Sequence, residues 1–206
     1  MDKNKRATLA RLGKTTLLAS SAFAFGGQAS LLLASDQKVT LLYSSKYGST
    51  LETAQWIAEG IRQPSAIINI SDTLAVDSAL KQESKFILGS AVYKERPMES
   101  MLAFTKKHLK ALDHHVIASF VVCGTQPNSE KNKQRIDNYL QALNEALHHK
   151  PNLSRSLGGR LIVENLTQED REMLTRFYDK VLKKPLIGWD RTDPALAKQF
   201  AQNINL

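Results

Sequence analysis

The sequence predicts an α/β fold in which helices cover both faces of a doubly wound parallel sheet. Two observations carry this prediction. Short apolar runs alternate with amphipathic helical patterns from residue 36 onward, and the first run leads through a hydroxyl-rich loop directly into a helix. The 206 residues are 42% hydrophobic, which suits one globular domain with its own core. The single cysteine excludes a framework of intramolecular disulfides.

Five apolar runs have the length and composition of buried strands. They are Lys38–Tyr43, Ala66–Ile70, Lys85–Leu88, Val116–Cys123 and Arg160–Val163. Apolar residues also recur at helical spacing in two clear stripes, over residues 136–147 and 173–182. Thr167 with Asp170 is a variant capping box at the start of the second of these helices, and Asp193 before a proline predicts the start of a last helix.

The loop after the first strand has the chemistry of a phosphate site. It presents hydroxyl groups and one glycine just before a helix N-terminus, where unpaired backbone N–H groups and the helix dipole favour an anion. Walker loops and dinucleotide fingerprints are excluded, because each needs more glycines than this loop contains. A hydroxyl-lined loop suits a terminal monophosphate. The predicted contacts are Ser44, Ser45, Lys46, Tyr47, Gly48, Ser49 and Thr50.

The same stretch resembles the signature of the flavodoxin family. Its specified positions are matched by Leu41, Leu42, Tyr43, Ser45, Gly48, Thr50, Ala54 and Ile57. The resemblance implies FMN as the cofactor and a flavodoxin-like five-stranded parallel sheet of order 2-1-3-4-5. Ligands of such sheets bind at the carboxyl ends of the strands that flank the switch point. The loops after strands one, three and four are therefore expected to surround the FMN.

The loops after strands three and four supply the other predicted cofactor contacts. Tyr93 is placed to stack on the flavin, the alternative being an exposed loop tyrosine. The second aromatic residue that many flavodoxins place after the fourth strand is absent, so the far face of the flavin is either open to a substrate or covered by a residue from elsewhere. The predicted contacts are Ser90, Ala91, Val92 and Tyr93 in one loop, and Cys123, Gly124 and Thr125 in the other.

The sequence predicts no metal site and singles out no catalytic acid–base pair. Titratable residues near the predicted cofactor have no spacing that assigns them a proton-transfer role. Cys123 is interpreted as a buried small residue rather than a redox partner. The pairs His114-His115 and His148-His149 lack a repeated ligand spacing, and they are interpreted as loop and helix-end histidines.

Within the flavodoxin family, residues 38–205 resemble the bacterial menaquinone-dependent protoporphyrinogen oxidases. This resemblance implies that electrons pass from a porphyrinogen-like or other small reduced substrate through FMN to menaquinone or another quinone. Two alternatives are an exported flavodoxin-like electron carrier and a non-catalytic flavodoxin-fold binding module. Basic side chains on the predicted site loops favour the enzyme, because they would form a cationic mouth suited to propionate groups. These residues are Lys46, Lys94, Arg96, Lys131, Lys133 and Arg135.

The N-terminal 35 residues are predicted to be a targeting segment preceding a flavodoxin-like domain at 36–206. A basic start is followed by an uncharged run over 15–35, and the beginning resembles a twin-arginine export motif with Lys5 in place of the first arginine. The segment predicts an exported, periplasmic protein; the alternatives are an uncleaved anchor or a disordered tail. Porphyrinogen oxidation itself would be expected at the cytoplasmic face of the inner membrane.

The remaining domain is predicted to bind no nucleic acid. Its Lys and Arg residues are scattered among acids, without a basic stripe interleaved with aromatic residues. Peripheral membrane contact is a further hypothesis. The helix predicted over 169–184 combines an apolar stripe with lysines, and the apolar segment 185–189 ends in Trp189. The alternative is that this stripe belongs to the core.

Overall fold

The computed structural model describes residues 39–61, 65–82 and 84–206; the predicted targeting segment at 1–35 lies outside the described residues. A parallel sheet forms the centre of the domain. Along the chain its strands are β1 (Val39–Ser44), β2 (Ser65–Asn69), β3 (Lys85–Tyr93), β5 (Val116–Cys123) and β6 (Leu153–Gly158). A short strand, β4 (Arg96–Pro97), pairs antiparallel with β3. The parallel strands lie in the order β2-β1-β3-β5-β6, which confirms the predicted 2-1-3-4-5 arrangement.

Seven α-helices connect and follow the strands within the described residues. They are α1 (Ser49–Gly60), α2 (Thr73–Leu80), α3 (Glu99–Lys107), α4 (Leu109–Leu112), α5 (Glu130–Asn144), α6 (Gln168–Phe177) and α7 (Pro194–Gln202). A π-helical turn, Tyr178–Leu182, continues α6. The predicted caps are present: the side chain of Thr167 accepts the N–H of Asp170, and that of Asp193 accepts the N–H of Leu196.

Two apolar layers hold the sheet between its helices. On one face, Phe120 packs with Ile57 of α1 and Phe200 of α7. On the other face, Met101 of α3 and Leu143 of α5 lie in a second buried cluster. Because both faces are covered, the inner strands are apolar along most of their length, which is why their sequences stand out.

The fifth strand lies before the position predicted from the sequence. The prediction was Arg160–Val163, but the strand that pairs with β5 is β6 (Leu153–Gly158). This strand forms the edge of the sheet and most of it is only half-buried, so its sequence LSRSLG contains no apolar run. Residues Arg160–Leu161 instead form a two-residue strand, β7, which pairs antiparallel with β8 (Trp189–Asp190).

The third strand is longer than predicted, and the expected loop after it is a hairpin. β3 continues beyond Leu88 to Tyr93 and turns back into β4 through two residues, Lys94 and Glu95. Both have a left-handed backbone, with φ of 51° and 64°. Such a turn matches the twist of the strands, although glycine or asparagine normally occupies these positions.

Candidate functional site

A pocket of about 610 Å³ lies at the carboxyl ends of β1, β3 and β5. Its size is within the range of roughly 300–1,000 Å³ that is usual for small-molecule sites. The three loops expected to surround a cofactor all line it. Of the fourteen predicted contact residues, the pocket is lined by Ser45, Lys46, Tyr47, Ser49, Thr50, Ala91, Val92, Tyr93, Cys123, Gly124 and Thr125.

The phosphate loop is shaped by Gly48 at the N-terminus of α1. Gly48 has φ of 90°, a left-handed conformation that favours glycine, and its N–H donates to the Ser45 hydroxyl over 3.0 Å. Thr50 is completely buried in the first turn of the helix, and its Oγ1 has no hydrogen-bond partner among the described residues. A buried hydroxyl without a partner costs about 1–3 kcal/mol. A phosphate oxygen at the helix N-terminus would supply that partner, so the loop fits FMN.

Three predicted contacts, Ser44, Gly48 and Ser90, are not among the residues that line the pocket. Gly48 shapes the loop through its backbone, and the other two are serines whose hydroxyls bond elsewhere. The Ser44 hydroxyl donates to the Met98 sulfur over 3.1 Å and lies 3.1 Å from the Ser100 hydroxyl. The Ser90 hydroxyl donates to the Ala91 carbonyl and accepts the Met98 N–H. Both side chains are buried, and these bonds tie the strand ends to the segment that begins α3.

Asp170 is a site residue that the sequence indicated only as part of a helix cap. Its carboxylate is buried and receives hydrogen bonds from the hydroxyls of Tyr47 and Tyr93. The Lys46 ammonium lies 2.6 Å from the same group. Burial alone would raise the pKa of Asp170, but the hydrogen bonds from Lys46, Tyr47 and Tyr93 outweigh it and lower the pKa to about 2. The carboxylate is therefore ionised at neutral pH and joins α6 to two of the cofactor loops.

The hairpin that carries Tyr93 is held by the adjacent helix α5. The carboxylate of Glu95 accepts a hydrogen bond of 2.9 Å from Arg135 and one of 2.6 Å from the Tyr139 hydroxyl. Burial opposes ionisation of Glu95, but these two bonds prevail and lower its pKa. The contacts help to compensate for the left-handed backbone at Lys94 and Glu95, and they fix the position of Tyr93.

An aromatic residue from near the C-terminus lines the pocket beside the loop after β5. The ring of Trp189 packs so closely on Gly124 that a Cβ there would lie 2.5 Å from it. Trp189 Nε1 donates to the Tyr178 hydroxyl over 3.0 Å, and the Arg191 guanidinium lies 4.7 Å from the ring centroid. Sequence reasoning left open whether a residue from elsewhere covers this side. The structure places Trp189 against the loop after β5, brought in by the β7–β8 pair.

Three of the six basic residues expected at the mouth line the pocket, namely Lys46, Lys94 and Arg135. Lys46 is paired with Asp170 and Arg135 with Glu95, so their charges are largely neutralised. The C-terminal segment adds three cations that the sequence did not indicate: Arg160, Lys184 and Arg191. Arg160 is paired with Glu52. Within the described residues, Lys94, Lys184 and Arg191 form no salt bridge.

An apolar wall also lines the pocket. It is formed by Leu166, Met173, Leu174, Phe177 and Leu182, all on or beside α6 and the π-helical turn. The side chain of Cys123 also reaches the pocket lining, but it is buried, and its sulfur lies 3.3 Å from the Ser156 hydroxyl. The pocket therefore combines a hydroxyl-lined anion loop, several aromatic residues that include Tyr93 and Trp189, and an apolar side.

Solved structures similar to this one include flavodoxins and flavoprotein oxidoreductases. The rubredoxin oxygen:oxidoreductase of Desulfovibrio gigas is 18% identical, with a TM-score of 0.42 over 81% of this chain and 35% of that one. Oxidised flavodoxin 1 of Bacillus cereus is 19% identical, with a TM-score of 0.40 over 71% and 98%. The WrbA-like flavodoxin of Agrobacterium tumefaciens is 17% identical, with a TM-score of 0.42 over 80% and 99%.

The chain spans about a third of the length of the D. gigas protein, and the same share of the flavodiiron core of Synechocystis. No curated protein matches the sequence. A sequence profile described as "Flavodoxin domain" matches residues 40–185, which is well over half of the chain. The protein therefore belongs to the flavodoxin-domain family, and FMN is its cofactor.

Proposed function

We propose that the protein is an FMN-dependent oxidoreductase of the menaquinone-dependent protoporphyrinogen oxidase type. It takes electrons from a reduced, carboxylate-bearing substrate and passes them to a quinone. The observation that carries this proposal is the C-terminal part of the pocket lining, which combines apolar side chains with two cations, Lys184 and Arg191, that form no salt bridge within the described residues.

The cofactor would be held by the phosphate loop and the two loops beside it. Thr50 and Ser45 supply hydroxyls, and the first N–H groups of α1 supply further donors to the phosphate. Tyr93, at the end of β3, and Trp189, in β8 beside the loop after β5, both line the pocket in which the ring would lie. Bound FMN would supply the redox chemistry, accepting electrons from the substrate and passing them to the acceptor.

The apolar wall suits a large, flat substrate or acceptor. Met173, Leu174 and Phe177 project from one stripe of α6 into the pocket lining. Burial of apolar area is worth roughly 25 cal/mol per Å², so a macrocycle or a quinone ring would gain much of its binding energy here.

The cations that form no salt bridge within the described residues suit carboxylate groups on that substrate. The Lys94 ammonium lies 5.4 Å from the Tyr93 ring centroid, and the Lys184 ammonium lies 5.7 Å from that of Tyr178. Arg191 is oriented by its stacking on Trp189 and by its bond to the Gly124 carbonyl. Charge-assisted hydrogen bonds from such groups to propionates would orient the substrate.

The test is anaerobic oxidation of protoporphyrinogen by the full chain loaded with FMN, with menadione as the acceptor. We expect turnover that depends on the quinone. The double variant Lys94→Glu/Lys184→Glu should lower kcat/KM by roughly 100-fold or more, because each substitution removes an attraction of about 1.5 kcal/mol and adds a repulsion. Lys81→Glu, an exposed charge reversal at the end of α2, is the matched control and should leave kcat/KM unchanged.

FMN that is bound and reducible, without turnover of the porphyrinogen, would contradict the enzyme and favour the electron carrier. Failure to bind FMN at all would contradict both and leave the binding module. Equal loss of activity in Lys81→Glu and in the double variant would show that the mouth cations have no specific role.

We further propose that the protein works at a membrane surface. Quinones reside in bilayers, and the wall that lines the pocket continues outward as an exposed apolar patch on the segment after α6. Phe177 is 40% exposed, Val181 62% and Ile187 64%, and Lys180 and Lys183 lie in the same segment. No helix among the described residues is long and apolar enough to span a bilayer. An exported, membrane-associated protein is the location we propose from the targeting segment, with the cytoplasmic face of the inner membrane as the alternative.

A further inference from the structure

A cluster of potential metal ligands lies at the amino ends of the parallel strands, whereas the pocket lies at their carboxyl ends. Asp113 and His114 precede β5, and His149 precedes β6. One ligand atom from each of these three residues lies within 4.8 Å of the other two. β5 is eight residues long, so about 25 Å separate this cluster from the pocket at the other end of the strand.

The carboxylate of Asp113 is anchored in a way that leaves one oxygen directed at the imidazoles. Its Oδ1 accepts two backbone N–H groups, from His148 over 2.5 Å and from His149 over 3.1 Å. Its Oδ2 lies 2.9 Å from His149 Nδ1 and 3.3 Å from His148 Nδ1. Asp113 is buried, and its orientation is therefore fixed by the backbone of the loop before β6.

The imidazole of His114 completes the cluster from the other loop. Its ring centroid lies 3.6 Å from that of His149. His114 and His149 are both exposed, so an ion from solvent can reach their ring nitrogens. Two imidazoles and one carboxylate form a nitrogen and oxygen donor set that Zn²⁺ commonly takes in proteins.

We propose that Asp113, His114 and His149 bind a divalent transition-metal ion, with Zn²⁺ as the best match. Asp113 Oδ2 and His149 Nδ1 are 2.9 Å apart, and two atoms at that separation can both lie about 2.0–2.2 Å from one ion. The ion takes the place of the proton between them, and that proton is released on binding. His148 or water fills the fourth position.

The ion would join the loops that lead into β5 and β6. Among the described residues, β6 is an edge strand that pairs with β5 alone, so a link at its start stabilises a strand that has one neighbour. An ion that binds the native state and not the unfolded chain raises stability by mass action.

The test uses the full chain purified without a histidine tag and titrated with Zn²⁺ by calorimetry. We expect one ion per chain and a rise in the melting temperature with Zn²⁺. His114→Ala and His149→Ala should each weaken Zn²⁺ binding by at least about tenfold, as loss of a ligand or of its orientation does elsewhere. His115→Ala is the matched control: it is exposed and adjacent, but outside the cluster, and should bind Zn²⁺ like the parent.

Absence of Zn²⁺ binding by the parent chain would overturn the proposal. So would equal affinity in the parent and in both His114→Ala and His149→Ala. Retained FMN binding shows in each case that the variant is folded, because the cofactor pocket lies at the other end of the strands.

Discussion

Thr50 and Asp170 both line the pocket, but the sequence predicts the position of Thr50 far better than that of Asp170. Thr50 lies within a continuous motif, so its place at the helix N-terminus follows from the order of residues in one loop and helix. Asp170 reaches the same loop from 123 residues beyond Tyr47, and only the folded chain brings its carboxylate to the tyrosine hydroxyl. The sequence does predict the cap at the start of α6, in which the Asp170 N–H donates to the Thr167 hydroxyl. That cap involves only the backbone of Asp170 and does not predict where its carboxylate lies.

Asp170 should make stability depend on pH in the acid range. Its pKa is about 2 in the folded protein against 3.8 for an unperturbed aspartate, so its contribution is complete above about pH 5 and is lost as pH falls toward 2. The two values correspond to about 2–3 kcal/mol. Asp170→Asn should therefore lower the free energy of unfolding by about that amount at pH 7, by roughly half as much at pH 3, and by little at pH 2.

The measurement is chemical denaturation of both proteins across this pH range. Glu172→Gln, an exposed substitution on the same helix, is the control and should change the free energy of unfolding little at either pH. A deficit in Asp170→Asn that is the same at pH 7 and pH 3 would show that the charge of Asp170 is not what stabilises its contacts with Lys46, Tyr47 and Tyr93.

At the scale of elements, the inner strands and the edge strand β2 could be predicted, and the edge strand β6 could not. β1 and β5 are buried on both faces, and such strands are apolar along their whole length. β6 is an edge strand with half-buried residues and contains no apolar run. The sequence therefore predicts a strand at the apolar run that follows it. The turn between β3 and β4 contains neither glycine nor asparagine, and its conformation depends on Arg135 and Tyr139 from α5.

The Asp113 cluster could not be predicted from the sequence either. Sequence spacing detects ligands that lie near one another along the chain, as on a single helix or loop. His114 and His149 are 35 residues apart, and they meet because β5 and β6 are neighbouring parallel strands whose starts lie at one edge. Topology, and not spacing, places them together.

Gly124 should be required for the position of the β7–β8 segment at the pocket. Gly124→Ala would place a Cβ 2.5 Å from the Trp189 ring, which Tyr178 and Arg191 hold in place, so the ring has to move. In a Trp56→Phe background, the emission of Trp189 should shift to longer wavelength and become more accessible to iodide. Thr125→Ser, which adds no atom at the neighbouring position, should leave the emission unchanged. Unchanged emission in Gly124→Ala would mean that Trp189 does not pack on this loop.

At the scale of the whole domain, the carboxyl edge of the sheet, where the parallel strands end, and its amino edge, where they begin, carry different chemistry. The carboxyl edge holds the FMN pocket, and the apolar patch after α6 extends from the same wall. The amino edge holds the Asp113 cluster. A protein resting on a membrane through the patch would bring the mouth of its pocket to the bilayer surface, where a quinone can reach it.

Membrane binding should depend on both the charge and the apolar side chains of the patch. A chain beginning at Asp36 should sediment with anionic vesicles. Lys180→Glu/Lys183→Glu should weaken this binding more than tenfold, because each basic residue near anionic lipid contributes about 1 kcal/mol. Ile187→Ser should weaken it through loss of apolar burial. Lys81→Glu, far from the patch, is the control. Equal, negligible sedimentation of the parent and all variants would remove the membrane proposal.

The measurement that tests the central claim most directly is the Kd for FMN of the parent chain, Thr50→Val and Thr50→Ser, followed by quenching of flavin fluorescence. The claim is that the buried Thr50 hydroxyl, which has no partner among the described residues, belongs to the phosphate site. Loss of one charge-assisted hydrogen bond weakens binding by about 1.5–3 kcal/mol, or roughly 10- to 150-fold. We expect that loss in Thr50→Val, while Thr50→Ser keeps the hydroxyl and binds FMN nearly as the parent does. An unchanged Kd in Thr50→Val would contradict the account.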